Sequence, residues 1–361
     1  MKILFVTYHG LGFGGAEVST KYLAEGLKKR GHEVIFVSNG YYDGFKNCHL
    51  AAYKKIPFFW VHNLYMRNKI KKIIKIEKPE LIHVHDRLTS VPVILAAKKM
   101  KIPVVVHFRD YWFACPNSSC MAGDGFEYDE CSAGIIFRHF PIKRWIWELY
   151  KLQSIRKARK ILDKADLKFA NSNAVKRRLE ICRIKDANVV NILRDLSKFS
   201  GKVEKNVIKK RFGLKENVIA YVGGFTQVKG IMFALDVVSG ILQQEENLSF
   251  FIAGHGDLED EMRKFVNEYH LNDRVIIAGK LSLEDMPYVY RDSDIVLLPS
   301  LWDEPLSGIL LEAGGAGKGV IASDRGGNKE VIIDKKNGMI AASGNKEEWR
   351  EKILMLMKNP G

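Results

Sequence analysis

No apolar run in the 361-residue chain approaches the ~20 residues that a membrane-spanning helix needs, which excludes a spanning segment. The start, Met1-Lys2 leading straight into Ile3-Leu4-Phe5-Val6, is too short for a secretory signal and has no small-residue cleavage site. A cytoplasmic location is therefore expected. Cysteine is scarce: five residues, an odd number spread over a long chain, argue against a disulfide framework. Cys115, Cys120 and Cys131 do fall close together, and His107 or His139 would complete a four-ligand zinc set with them. Their intervals of four and ten residues match no common zinc pattern, so free thiols or a redox-labile pair are expected. Nucleic-acid motifs are missing too, and the aromatic residues do not interleave with basic ones as a stacking platform. No nucleic-acid partner is expected.

What is present fits a soluble globular chain of two ordinary domains, with 47% hydrophobic and 27% charged residues. The net charge of +15 is lopsided. Residues 1–200 hold 36 Lys and Arg against 18 Asp and Glu, whereas 201–361 hold 21 against 24. Blocks such as Lys69–Lys75 and Arg156–Lys160 alternate bases with apolar residues, a pattern suited to an anionic membrane surface or to a solvated basic helix face.

Hydrophobic periodicity predicts strands at Ile3–Thr7, His32–Ser38, Leu81–Val84, Ile102–His107, Leu167–Ala170 and Asn188–Ile192, with helical pattern between them. A helix is expected over Ala16–Lys29 and a long one over Lys143–Lys164. The polar stretch Leu196–Val207 reads as a linker. A second α/β series follows, with strands at Val218–Val222, Ser249–Ala253, Arg274–Ile277, Ile295–Leu298 and Gly319–Ala322. The expected fold class is α/β, in two doubly wound, Rossmann-like halves: 1–195, a linker at 196–207, and 208–361. A single larger α/β domain is the other architecture, which the linker disfavours.

The richest segment is Pro299–Gly314. Glu304 stands on the loop after the Ile295–Leu298 strand, where open α/β sheets bind ligands, and Glu312 lies further along in a helix. Two carboxylates so placed suit two sets of hydroxyls, as a sugar nucleotide carries on its sugar and its ribose. Gly12-Phe13-Gly14-Gly15-Ala16-Glu17 follows a strand and opens a helix, so its amides can approach an anion at the helix N-terminus. Gly223-Gly224-Phe225-Thr226-Gln227-Val228-Lys229-Gly230 places a lysine at a loop-to-helix junction, where it can neutralise a leaving diphosphate. Asp292-Ser293-Asp294 looks like a metal-binding Asp-x-Asp, but it runs directly into a strand and reads as a helix end.

Pro299-Ser300, Glu304-Pro305, Gly308 and Glu312-Ala313, continuing through Gly326-Gly327-Asn328-Lys329-Glu330 to Asn337-Gly338, resemble the donor site of retaining glycosyltransferases with the GT-B fold, the family-4 group above all. The resemblance covers most of the chain. It implies two Rossmann-like domains facing across a cleft, a nucleotide-sugar donor used as substrate, no metal or other cofactor, and retention of anomeric configuration. It places Gly14 and Gly15 against the donor diphosphate and sugar, supported by Glu17. Lys229 would serve the diphosphate, Glu304 the sugar hydroxyls and Glu312 the ribose, with Ser307 and Gly308 also at the donor and Gly254 near the base. Glu330 would hold its own loop, and His85 would be a cleft residue or, equally, a structural histidine. Two departures stand out. The family usually carries arginine at the position of Gly224, so one diphosphate cation is missing. The histidine that contacts the donor sugar six residues after the strand-opening proline is replaced by Arg109, with His107 two residues early.

The resemblance implies transfer of a sugar to a glycan or lipid-linked acceptor, in cell-surface glycan or glycolipid synthesis, by an enzyme located in the cytoplasm or peripherally on the inner membrane face. A sugar-nucleotide-binding protein without turnover and a GT-B epimerase are the other readings. In the family a final helix crosses back to the first domain. Here Glu347–Lys358 reads as a helix followed at once by the turn Asn359-Pro360-Gly361, so a missing crossover and looser domains are expected.

Overall fold

The computed structural model describes residues 1–11, 14–50 and 58–358; Gly12, Phe13 and the turn expected at 359–361 lie outside the described residues. The chain divides into two compact units, Met1–Leu193 and Arg194–Gly361.

The first unit is built on seven strands: β1 (Lys2–Val6), β2 (Glu33–Ser38), β3 (Lys46–His49), β4 (Leu81–Val84), β5 (Val104–Phe108), β6 (Leu167–Ala170) and β7 (Ala187–Val189). They form one parallel sheet in the order β3-β2-β1-β4-β5-β6-β7. Runs such as Ile3–Val6 and Val104–Phe108 are buried along their whole length because helices cover both faces. The helices are α1 (Gly15–Lys29), α2 (Phe59–Glu77), α3 (Arg87–Met100), α4 (Ala133–His139), α5 (Trp145–Leu162) and α6 (Asn173–Ile181). In α1, Glu17 in the first turn and Lys28 and Lys29 in the last complement the helix dipole. The order reverses between β1 and β4, so the loops at the carboxyl ends of these two strands border the crevice where such sheets take ligands.

Two short edge strands escaped the periodicity reading. Lys46–His49 is polar, and its strand character comes only from pairing with β2. A second such strand closes the other sheet. The second unit has β8 (Asn217–Gly224), β9 (Leu248–His255), β10 (Val275–Gly279), β11 (Ile295–Leu298), β12 (Gly319–Ser323) and that unexpected β13 (Met339–Ala341), in the order β10-β9-β8-β11-β12-β13. Its helices are α7 (Ser197–Ser200), α8 (Val207–Phe212), α9 (Ile231–Leu242), α10 (Glu259–Glu268), α11 (Met286–Asp292), α12 (Gly308–Gly315), α13 (Asn328–Val331) and α14 (Lys346–Lys358). Strand alternation builds a core on each face. Phe250 and Ile252 join Trp349 and Ile241 on one side, while Phe251 joins Tyr290 and Leu298 on the other. Here the order reverses between β8 and β11. No helix among the described residues is long and apolar enough to cross a membrane.

The stretch Leu196–Val207, expected as a linker, is partly ordered into α7, and its Phe199 is buried edge-on against Tyr290 at 5.6 Å. Phe199 is the residue that docks this largely polar run on the second unit. Asp292-Ser293-Asp294 is a helix end and strand start, as read. Asp294 accepts from the Val218 amide, and the buried Asp292 carboxylate accepts from the amides of Asn206, Ile208 and Lys209, capping α8. Asp292→Ala should lower stability by roughly 1.5–3 kcal/mol, the scale of hydrogen bonds to a charged group. Thermal unfolding of the variant would measure this, and a midpoint equal to wild type would deny Asp292 that role.

Candidate active site

In the second unit the site begins with two loops stitched together at the strand reversal. β8 ends at Gly224, and a single tight turn at Gln227–Lys229 leads into α9. Gly230 makes that turn at φ +69°, and a Cβ there would lie 1.9 Å from the Pro299 carbonyl oxygen, so only glycine lets the loops meet. The Leu301 amide then donates to the Val228 carbonyl at 2.9 Å.

Across this seam Lys229 Nζ donates to Glu304 Oε1 at 2.7 Å and to Oε2 at 2.8 Å. Ser300 Oγ and Trp302 Nε1 donate to Oε2 as well, at 2.9 and 3.1 Å, and Lys229 Nζ lies 5.2 Å over the Trp302 ring. Glu304 is 4% exposed, whereas the Lys229 side chain is 28% exposed. Three of these four contacts fall on Oε2, and Oε1 is held by Lys229 alone. Sequence reading gave Glu304 to sugar hydroxyls and Lys229 to a diphosphate, as separate partners of a ligand. Without a ligand they are partners of each other, and the lysine is the more accessible of the two.

Glu312 lies in α12. Its Oε1 accepts from Arg194 Nε at 2.7 Å and its Oε2 from the Tyr290 hydroxyl at 2.8 Å, which leaves acceptor capacity on both oxygens. Arg194 went unnoticed in the sequence. It stands 118 positions from its partner, and no spacing or motif announces the contact. Its guanidinium also explains Gly308, where a Cβ would come within 2.1 Å of Nη2. Ser307 is buried at the N-cap of α12 and makes no side-chain capping bond. Gly224 and Gly254 end adjacent strands, and the Gly224 carbonyl accepts from the Tyr221 hydroxyl at 2.8 Å. Glu330 is exposed within the short α13.

In the first unit Gly14 is the N-cap of α1 and Gly15 its first residue. Arg109 donates through Nη1 to the Ala16 carbonyl and, at 2.8 Å, to Thr20 Oγ1, so it fastens the first turns of α1. Burial pushes the Glu17 carboxyl up to about 7, with Asp86 adding to the rise and Arg109 opposing it. The Asp86 carboxylate accepts from the Tyr8 amide and caps α3 through the Leu88 and Thr89 amides.

His85 and His107, expected to face a ligand, are buried in the sheet interior with His83, which sequence reading had not singled out. Alternation along β4 and the neighbouring position of β5 bring the three onto one face. His107 Nε2 is bonded to the Val190 carbonyl at 3.1 Å. Neither zinc set proposed around the cysteines assembles. His107 lies in this cluster, and His139 pairs with Asp124 and stacks on Phe126. Cys115 and Cys120 do meet, Sγ to Sγ at 3.2 Å, as free thiols.

Residues 13–192 match the family described as Glycosyltransferase Family 4, and residues 202–361 match Glycosyl transferases group 1. An uncharacterized glycosyltransferase of Methanocaldococcus jannaschii is 25% identical over 360 residues, spanning 94% of this chain and 84% of the relative. The alpha-D-kanosaminyltransferase of Streptomyces kanamyceticus is 26% identical over 154 residues, 42% of this chain and 40% of that protein. Among solved structures, Anabaena HepE in complex with UDP-glucose superposes with a TM-score of 0.78 at 18% identity, over 99% of this chain and 90% of that one. That likeness speaks for the fold, as does the structure of WaaG, a glycosyltransferase involved in lipopolysaccharide biosynthesis, at a TM-score of 0.71 and 14% identity over 99% and 90% of the two chains. With the paired family matches spanning nearly the whole sequence, the chain belongs to the glycosyltransferases, in the family-4 type with the GT-B fold.

Proposed function

We propose that this glycosyltransferase moves a hexosyl group from a nucleotide-sugar donor to an acceptor hydroxyl with retention of configuration, in the synthesis of a cell-surface glycan or glycolipid. The observation that carries this reading is the Lys229–Glu304 pair at the reversal of the second sheet, with Glu312 on the helix that follows. The donor class is supported by HepE, solved with UDP and with UDP-glucose.

In this mechanism an arriving diphosphate draws Lys229 away from Glu304. The lysine then stabilises the charge that develops on the leaving phosphate, and the vacated Glu304 oxygen accepts from a sugar hydroxyl. Glu312, held by Arg194 and Tyr290, offers its remaining lone pairs to the ribose. The amides at the start of α12 suit phosphate oxygens. The bond from the anomeric carbon to the phosphate oxygen breaks, and a bond to the acceptor oxygen forms on the same face. The acceptor proton passes to the departing phosphate. Even with Lys229 drawn away, Ser300 and Trp302 still donate to Glu304 and a sugar hydroxyl takes its vacated oxygen, which makes it poorly suited to attack as a nucleophile and favours this same-face route. The charge is handled by Lys229, so the reaction requires no bound metal.

A lipid-linked acceptor is supported by the surface of the first unit. Phe58, Trp60, Val61 and Leu64 are exposed at the start of α2, and Ile142, Ile146 and Trp147 at and before the start of α5. The two helices meet there, since the Phe59 amide donates to the Tyr150 hydroxyl and Lys157 lies over the Trp60 ring. Apolar side chains bordered by Lys143 and Lys157 fit the interface of an anionic bilayer, which would make the protein peripheral on the cytoplasmic face.

Glu304→Gln and Lys229→Ala should each lower transfer by one to two decades or more, since a lost charged hydrogen bond is worth roughly 1.5–3 kcal/mol. Full turnover of either at saturating donor would reject the assignment. Donor cleavage measured with and without acceptor separates a transferase from a sugar-nucleotide-binding protein or an epimerase. The chain should co-sediment with anionic but not zwitterionic liposomes, less so as salt rises; equal binding to both removes the membrane acceptor. Because the folded Glu17 carboxyl is raised to about 7, stability should fall as pH climbs from the ordinary carboxylate range through about 7. Glu17→Gln should flatten that slope in unfolding curves taken across the interval, and an unchanged slope would place the titration elsewhere.

A further inference from the structure

We propose that His83, His85 and His107 form a binding site for a divalent transition-metal ion, zinc by preference, on the inner face of the first sheet. Each residue brings a ring nitrogen to the cluster, and the three nitrogens lie within 4.8 Å of one another. The register that pairs Val84 with Val106 sets His85 beside His107 when continued by one residue, with His83 two positions back on the same face. The ring centroids of His83 and His85 are 4.3 Å apart, and His107 lies 5.9 and 6.0 Å from them. Phe5 and Phe169 border the cluster and keep it from water.

The second observation is what these nitrogens lack. His83 Nε2, both nitrogens of His85 and His107 Nδ1 are buried without a hydrogen-bond partner. An unsatisfied buried polar group costs roughly 1–3 kcal/mol, and four such atoms on three adjacent side chains make an expensive arrangement unless something binds them. His107 indicates what that is. A carbonyl only accepts, so the bond to Val190 fixes the His107 proton on Nε2 and leaves the Nδ1 lone pair bare. Metal-bound histidines are held in this way, with the far nitrogen donating to a carbonyl.

Three imidazoles and no oxygen ligand select zinc, copper or nickel over magnesium or calcium. Reaching zinc–nitrogen distances of ~2.0–2.1 Å requires only a modest contraction of the cluster. Arg109 is the neighbouring cation that opposes an ion here. The bound ion would tie the end of β4 to β5 where Asp86 and Arg109 begin their loops. Its role is to set these strand ends, and no step of sugar transfer runs through it.

The test uses the full chain after dialysis against chelator, with zinc and cobalt(II) as probes. One equivalent of zinc should bind by calorimetry, raise the unfolding midpoint and be stripped by EDTA. Cobalt should give visible bands without the near-ultraviolet thiolate-to-cobalt band. His85→Gln and His107→Asn should each weaken binding by at least about 100-fold, the upper range already reached by losses outside the ligand set. Far-ultraviolet dichroism checks that each variant folds, and the wild-type cobalt spectrum stands even where a variant does not. Lack of saturable metal uptake by the folded wild-type chain overturns the site. So does uptake kept by both variants, or a thiolate band that moves the ion to Cys115 and Cys120. None of these readouts depends on transferase activity.

Discussion

The second unit is organised around one ion pair across a seam between two loops. Removing one partner of a buried pair strands the other charge in low dielectric, at a cost of roughly 3–5 kcal/mol. Lys229 and Glu304 are therefore bound to each other in the resting molecule, and Ser300 and Trp302 complete the shell of the carboxylate. Gly230 and the Leu301–Val228 hydrogen bond hold the loops close enough for that shell to form. The parallel sheet sets the position of the whole group, because β8 and β11 are the neighbours at which its strand order reverses. An anion that replaces Glu304 as the partner of Lys229 keeps the ammonium paired and leaves the buried Glu304 carboxylate to Ser300, Trp302 and a donor from the ligand, whereas a neutral ligand gives Lys229 no replacement charge. The pair thus favours a ligand that brings both an anion for Lys229 and a hydroxyl donor for Glu304.

Much of this was legible in the residues, for identifiable reasons. Buried parallel strands are near-continuous apolar runs, so β1, β4, β5, β6 and β11 could be placed to within two residues. Edge strands such as β3 carry no such run and were missed, as was the docking of Phe199, which depends on Tyr290 over ninety positions away. Among the candidate site residues, Lys229, Glu304 and Glu312 were visible because loop and helix starts have local signatures. Their mutual contacts were not. The Glu304–Lys229 and Glu312–Arg194 pairs span 75 and 118 positions, and a pattern read along the chain holds no record of such distances. The histidines failed for the converse reason. His85 and His107 were weighed separately and His83 not at all, but strand alternation and register determine that they are buried together.

Charge separates the two halves of the chain in a way the fold does not. The first 200 residues carry twice as many bases as acids, while the remainder is slightly acidic although it holds the lysine suited to a diphosphate. The net charge of the second half is therefore not what draws an anion to Lys229. That attraction must be local, from one ammonium group and the aligned amides at helix starts, with no arginine at Gly224 to share the load. Short-range contacts of this kind in a partly buried site are weakly screened by salt. The broad positive field of the first half acts over distances comparable to the Debye length of ~8 Å at physiological ionic strength and is strongly screened. Ionic strength should then act on whatever the first half attracts much more than on the anion site of the second, and the two recognition problems are physically separable within one chain.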